Sequence, residues 1–209
     1  RESEMRISST IGRIGELLRN TMIGLSNEDR KIIGKAKNEL ADFNREYDEL
    51  TNSFYYYLKK IDSESAQEGQ FYLHVLNYLQ NISQSVDLIT EKAFTHVQNM
   101  HNKVQSDNLK ELTAQTEELA KLCKKVSDLM STEHKGSLEA IEEDSKRIQK
   151  MIGKLEKKQI KRVKKEKSTA KNSLLYITIL LESRDILDSF LDLVELYESR
   201  DQPFDEEEE

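Results

Sequence analysis

The sequence predicts an all-α protein, built as a tandem of two antiparallel three-helix units. Among its 209 residues are only 7 glycines and 1 proline, whereas an average chain of this length would contain about 25 in all. All-β sandwiches and barrels need turn residues every ~8–12 positions, so this shortage excludes them. The apolar residues recur at alternating steps of three and four, which indicates amphipathic helices.

The first half of the chain contains three amphipathic segments. Their apolar stripes run through residues 7–25, 33–61 and 72–100. Residues 26–29 are Ser-Asn-Glu-Asp, which is typical of a helix N-cap followed by an acidic first turn. A polar break at residues 63–66 separates the second segment from the third. Narrow stripes of this kind predict helices that cross at about +20° in a bundle.

The second half contains three more segments, with stripes through residues 112–129, 138–163 and 174–197. The last stripe is expected to bury Leu174, Ile177, Leu181, Leu187, Leu191, Val194 and Tyr197. Arg184 falls on this stripe, and a charge there needs a partner. Asp188 lies one helical turn further on, so the pattern predicts a buried ion pair between Arg184 and Asp188.

An internal repeat sets the predicted domain boundaries. Residues 71–91 align with residues 175–195 at a shift of 104 residues, so the third segment corresponds to the sixth. The sequence therefore predicts one three-helix unit at residues 1–105 and a second at 106–200. Residues 201–209 are predicted to form an acidic disordered tail, because Asp205 to Glu209 are all acidic.

The net charge and the cysteine content indicate which partners and which cellular compartment suit the chain. The chain has 39 acidic and 32 basic residues, a net charge of −7, which disfavours nucleic acid as a partner. Cys123 is the only cysteine, so no disulfide can form within the chain, and a reducing compartment is expected. The chain begins with Arg1 rather than Met, so we expect a further segment upstream.

The most basic stretch is residues 154–167, with eight Lys or Arg and two Glu. It predicts either a solvated helix face or a surface that contacts an anionic membrane or a partner. The residues assigned to this contact are Lys157, Lys158, Lys161, Arg162, Lys164 and Lys165. No Ser/His/Asp or Cys/His arrangement and no glycine-rich phosphate loop is present, so we expect no enzymatic activity.

Three stretches resemble the PhoU family, a tandem of two three-helix units. Residues 79–91 (LQNISQSVDLITE) and 184–195 (RDILDSFLDLVE) are similar to the pattern on the third helix of each PhoU unit. Residues 44–47 (NREY) are similar to the middle of the second helix. The chain is most similar to the C-terminal cytoplasmic region of bacterial sodium/phosphate cotransporters of the NptA type.

The resemblance also bears on metal binding, because PhoU proteins hold metal through a Glu-x-x-x-Asp pair on each third helix. The first unit has the uncharged amides Gln80 and Gln84 at these positions, and hard cations and iron favour carboxylates. The second unit has Arg184 and Asp188, and a shifted alignment offers Glu182 and Asp185. We therefore expect no metal or other cofactor, with Glu182, Asp185 and Asp188 as the alternative metal ligands.

The resemblance implies a regulatory or interaction domain of a sodium-dependent phosphate transporter. Its partner would be the membrane domain of the same polypeptide, at the cytoplasmic face of the bacterial inner membrane. An anionic membrane surface and a second copy of the chain are further partners, and nucleic acid is not expected. The alternatives are a free-standing PhoU-type phosphate-signalling adaptor and a spectrin-like structural spacer.

Overall fold

The structure, a computed structural model, describes residues 2–62, 64, 66–99, 103–131, 133 and 135–201. Within these ranges the regular structure is helical and contains no strand, so the predicted all-α class is confirmed. The helices are α1 (Glu2–Asn27), α2 (Arg30–Lys60), α3 (Ala66–Gln98), α4 (Ser106–Met130), α5 (Leu138–Lys164) and α6 (Ala170–Asp201). The predicted acidic tail, beyond Asp201, lies outside the described residues.

Four helices form the centre of the bundle, and two lie at its sides. Helix α1 contacts α2, α3 and α4, and α6 contacts α3, α4 and α5. Over the described ranges, α2 contacts only α1 and α3, and α5 contacts only α4 and α6. Each outer helix therefore has one long side that faces away from the bundle.

Helices α1 and α4 are antiparallel and approach closely because small residues line their contact. The hydroxyl of Ser8 donates to the carbonyl of Ser127 at 2.7 Å, and the hydroxyl of Ser127 donates to the carbonyl of Ser8 at the same distance. A Cβ added at Gly15 would lie 3.1 Å from the carbonyl oxygen of Ala120 and 3.3 Å from the Cβ of Cys123. The absence of a side chain at Gly15 thus lets the two backbones approach.

A tight turn joins α1 to α2. Glu28 has a φ of 50°, in the left-handed region, and Asp29 is the N-cap of α2. The carboxylate of Asp29 accepts hydrogen bonds from the backbone N–H groups of Lys31 at 2.8 Å and Ile32 at 3.1 Å. This cap satisfies two of the four N–H groups that the first turn leaves without a helical partner. The predicted order within residues 26–29, an N-cap followed by an acidic first turn, was wrong, because the cap is Asp29, the last of these residues, and the first turn of α2 contains no acidic residue.

Two pairs of helix bounds repeat along the chain. They are the starts of α3 and α6 at Ala66 and Ala170, and the ends of α2 and α5 at Lys60 and Lys164. The two positions of each pair are 104 residues apart, the shift that the sequence indicates. The most extensive helix contacts, α1 with α4 and α3 with α6, cross the predicted boundary at residue 105, and the division into two units stays a prediction.

The buried face of α6 differs from the predicted stripe. Leu174 is 60% exposed and Leu181 is 43% exposed, whereas their neighbours Leu175 and Leu180 are buried. The prediction that Leu174 and Leu181 belong to the core was therefore wrong. Helix α6 touches three other helices, so apolar residues occupy most of its circumference, and their spacing alone does not show which side faces outward.

Candidate functional site

The outer face of α5 carries a row of lysines. The helix starts at the N-cap Ser137, whose hydroxyl accepts from the backbone N–H of Ala140 at 3.2 Å. Six exposed lysines follow at steps of three and four, which places them on one side of the helix. They are Lys146, Lys150, Lys154, Lys157, Lys161 and Lys164. At 1.5 Å per residue this lysine row extends over about 27 Å.

These six ammonium groups form no ion pair within the part of the chain that the structure describes, where no carboxylate lies within 4.0 Å of any of them. A shallow open groove of about 690 Å³ runs beside the row and includes Met151 and Leu155 in its lining. The lysine row is therefore a band of positive charge that forms no ion pair in the described part of a chain with a net charge of −7.

Other basic residues of α5 face α4 instead and form ion pairs. Arg147 binds Glu118 at 2.9 Å, and Lys158 binds Glu111 at 3.3 Å. Arg162 also binds Glu111, through both terminal guanidinium nitrogens, and its side chain is only 16% exposed. Of the six residues assigned to the membrane or partner contact, Lys158 and Arg162 are thus held by Glu111. The other four, Lys157, Lys161, Lys164 and Lys165, are exposed.

Glu111 is the centre of a partly buried polar network. Its carboxylate accepts from Arg162, from Lys158 and from the hydroxyl of Tyr176 at 2.6 Å. Burial alone raises the pKa of Glu111, but hydrogen bonds from Arg162 and Tyr176 and the charge of Arg162 hold it below its usual value. Burial and the hydrogen bond to Glu111 raise the pKa of Tyr176. Tyr176 therefore remains a donor and Glu111 an ionised acceptor at neutral pH.

Gln159 connects this network to the turn between α5 and α6. It is 1% exposed, and its carbonyl oxygen accepts from Arg162 at 3.2 Å. Its amide nitrogen donates to the hydroxyls of Ser168 at 3.0 Å and Ser173 at 3.1 Å. The end of α5 is therefore fixed to α4, to the turn and to α6. This anchoring holds the lysine row in a defined orientation.

The predicted buried ion pair between Arg184 and Asp188 is wrong. Arg184 donates to Glu156 of α5 at 2.6 Å, and Asp188 accepts from Gln149 of α5 at 3.0 Å. Neither side chain is buried. Helix α5 lies antiparallel beside α6, so both side chains reach the neighbouring helix rather than each other.

The alternative metal ligands do not come together as a cluster. Glu182, Asp185 and Asp188 lie on α6, and Asp188 is engaged with Gln149. Partial burial, followed by the charges of Asp185 and Asp192, raises the pKa of Asp188, while Arg184 lowers it. Over the described part of the chain, no group of three or more His, Cys, Asp or Glu side chains is placed to hold a metal ion.

An exposed apolar strip that the sequence pattern does not predict adjoins the lysine row. Ile160 is 53% exposed and Val163 49% on α5, beside Leu174 and Leu181 on α6. The contacts of α5 with α6 at Gln149, Glu156 and Gln159 fix an antiparallel register, which brings Ile160 and Val163 to the level of Leu174, with Leu181 two turns further along α6. Ile160 offered the one sequence signal, because it is an apolar residue outside the stripe of its segment.

No protein-family model, no curated protein and no solved structure matches this chain. Over the described ranges, no helix combines the length and the apolar character that crossing a bilayer requires.

Proposed function

We propose that this chain is a non-catalytic regulatory and interaction domain of the PhoU type, and that it belongs to a sodium-dependent phosphate transporter. It would lie at the cytoplasmic face of the bacterial inner membrane, with the membrane domain of the same polypeptide as its partner. The observation that carries the proposal is the repeat of helix bounds at a spacing of 104 residues. A tandem of three-helix units is the architecture that the resemblance implies.

The packing of the helices favours this proposal over a spectrin-like spacer. Spectrin-like repeats join end to end through a continuous helix, whereas α3 ends at Gln98 and α4 begins at Ser106. The contacts of α1 with α4 and of α3 with α6 place the helices side by side. Small-angle scattering of the chain should accordingly give a radius of gyration of about 17 Å, the value for a compact chain of this length. A much larger radius would support the spacer.

Two observations test the assignment to a transporter: the complete reading frame and measurements of phosphate uptake. We expect several apolar stretches of about 20 residues encoded before Arg1, with basic residues enriched in the loops on the side of this domain. Deleting this domain should change the regulation of sodium-dependent phosphate uptake and leave the transport pathway itself active. If only an initiator Met precedes Arg1, the free-standing phosphate-signalling adaptor replaces the transporter domain.

A further inference from the structure

We propose that the lysine row of α5 and the adjoining apolar strip dock on a bilayer that contains anionic lipids. The inference rests on the proposed function only in that the function places the chain beside a membrane. The surface itself is defined by charge, exposure and helix register. It differs from the contact predicted from the sequence, because it adds the apolar strip and Lys154 and leaves out Lys158, Arg162 and Lys165.

The charge of the lysine row is complementary to an anionic lipid surface. The six lysines of the row have no carboxylate within 4.0 Å among the described residues, so they are available to a counter-charge from outside the fold. Anionic head groups can supply it along the last three turns of α5, where Lys154, Lys157, Lys161 and Lys164 lie. Each lysine near such a surface contributes about a fivefold gain in partitioning. These four lysines are therefore sufficient for reversible binding.

The apolar strip favours lipid over nucleic acid as the ligand of this surface. Ile160 and Leu174 are more than half exposed beside the lysines, and apolar side chains in this position can enter the boundary between head groups and acyl chains. A nucleic-acid backbone offers them no such environment. The row also contains no arginine, the usual residue for bidentate base and phosphate contacts, because Arg147 and Arg162 are paired on the α4 side.

The distribution of acidic residues sets which end of the α5–α6 pair contacts the bilayer. Asp185, Asp188 and Asp192 are exposed further along α6, away from the turn that follows α5. Because α5 is antiparallel to α6, the exposed Glu139 and Glu143 at its start lie towards the same end. An anionic surface repels this end. The contact therefore centres on the last three turns of α5 and the first turns of α6, where lysines and apolar residues lie together.

The experiment is co-sedimentation of the 209-residue chain with vesicles. Phosphatidylcholine vesicles containing phosphatidylglycerol should bind the chain, binding should fall as KCl is raised, and pure phosphatidylcholine should bind it weakly. The triple variant Lys157→Gln/Lys161→Gln/Lys164→Gln should lose about 100-fold in partitioning. The control Lys31→Gln/Lys35→Gln/Lys92→Gln makes the same charge change at exposed lysines elsewhere and should lose less than about threefold.

A second pair of measurements separates docking from diffuse charge attraction. Ile160→Ser/Leu174→Ser should keep the melting temperature, since both side chains are exposed, and should lose about tenfold in vesicle binding. Equal losses in the two lysine triple variants, or equal binding to neutral and anionic vesicles, would overturn the proposal. Tighter binding to duplex DNA than to anionic vesicles, unaffected by the Ile160/Leu174 change, would assign the surface to nucleic acid instead.

The two proposals fail independently. Absence of vesicle binding overturns the docking surface and leaves the transporter domain standing. A reading frame without upstream membrane segments overturns the transporter domain, while vesicle binding by the chain would still establish the docking surface.

Discussion

Arg162 of α5 binds the carboxylate of Glu111 of α4 through both terminal nitrogens of its guanidinium group. The pair divides the basic residues of α5 into two sets. Arg162 and Lys158 face α4 and fix the helix, while the lysine row faces outward. A pair this poorly exposed, 12% for Glu111 and 16% for Arg162, depends on both partners, because either one alone would leave an uncompensated charge.

Removing the charge of Glu111 should destabilise the fold. Glu111→Gln leaves Arg162 partly buried without its counter-charge and weakens the acceptor for Tyr176. We expect a loss of about 2–3 kcal/mol in the free energy of unfolding, measured by urea denaturation.

The matched control for Glu111→Gln is Glu156→Gln. Glu156 also binds an arginine, Arg184, but side-chain exposures of 26% and 36% make this pair far more solvated. Its loss should cost less than about 1 kcal/mol. Equal losses in the two variants would show that the Glu111 network does not anchor α5.

The contribution of Glu111 should also depend on pH. Its pKa in the folded chain is below the usual value of 4.5, so the stabilisation is fully present above pH 4.5 and is lost as the pH falls through the folded pKa. The difference in unfolding free energy between wild type and Glu111→Gln should therefore shrink below pH 4.5. Urea titrations at several pH values measure it, and a difference that stays constant down to pH 3 would contradict the assignment.

The sequence was sufficient to predict the helices and much of the buried core. In α3 the predicted stripe is confirmed, because Val75, Leu79, Ile82 and Val86 are all buried. In helix α6 the predicted stripe includes Leu174 and Leu181, which are exposed. Spacing locates a buried face only where polar residues mark the opposite face, and a helix with neighbours on three sides lacks that contrast.

The candidate site depends on contacts between residues that are far apart in the sequence. Nothing in residues 154–167 distinguishes Arg162 from the lysines around it, because its partner Glu111 is 51 residues earlier in the chain. The partners of Arg184 and Asp188 likewise lie on α5, 28 and 39 residues away. Charged side chains choose partners by the register of neighbouring helices, which a periodic pattern within one helix does not contain.

Gly24 should tolerate no side chain. A Cβ at this position would lie 2.9 Å from the backbone nitrogen of Ile33 and 3.0 Å from its Cα, where neither atom can move without shifting α2. Gly24→Ala should therefore lower the free energy of unfolding by about 2 kcal/mol. Gly153→Ala is the control: a Cβ there meets nothing within 4 Å, so better helix propensity should raise stability by about 0.5–1 kcal/mol. Thermal melts compare the two, and a neutral Gly24→Ala would contradict the close approach.

The same change should strongly destabilise the chain at one position on α3 and have little effect at another. Ile82 is fully buried, and Ile82→Asp would place an unpaired carboxylate in the core, which should cost several kcal/mol and abolish cooperative unfolding. Leu73 is 57% exposed on the same helix, so Leu73→Asp should change stability by less than about 1 kcal/mol. Circular dichroism melts give both results. An unchanged melting temperature for Ile82→Asp would mean that α3 does not form the core.

Ser145 should be more stable as alanine. Its side chain is fully buried on α5, and in the described part of the chain its hydroxyl has no hydrogen-bond partner. Ser145→Ala removes this desolvated group and adds helix propensity, so the free energy of unfolding should rise by about 1 kcal/mol and the melting temperature by about 2–4 °C. The control is Ser183→Ala, because the hydroxyl of Ser183 donates to the carbonyl of Ile179 at 2.6 Å and lies 3.3 Å from the side-chain oxygen of Gln115. Loss of the Ser183 hydroxyl should lower the free energy of unfolding. A fall of similar size for Ser145→Ala would show that the Ser145 hydroxyl is hydrogen-bonded, and a buried water is the simplest partner for it.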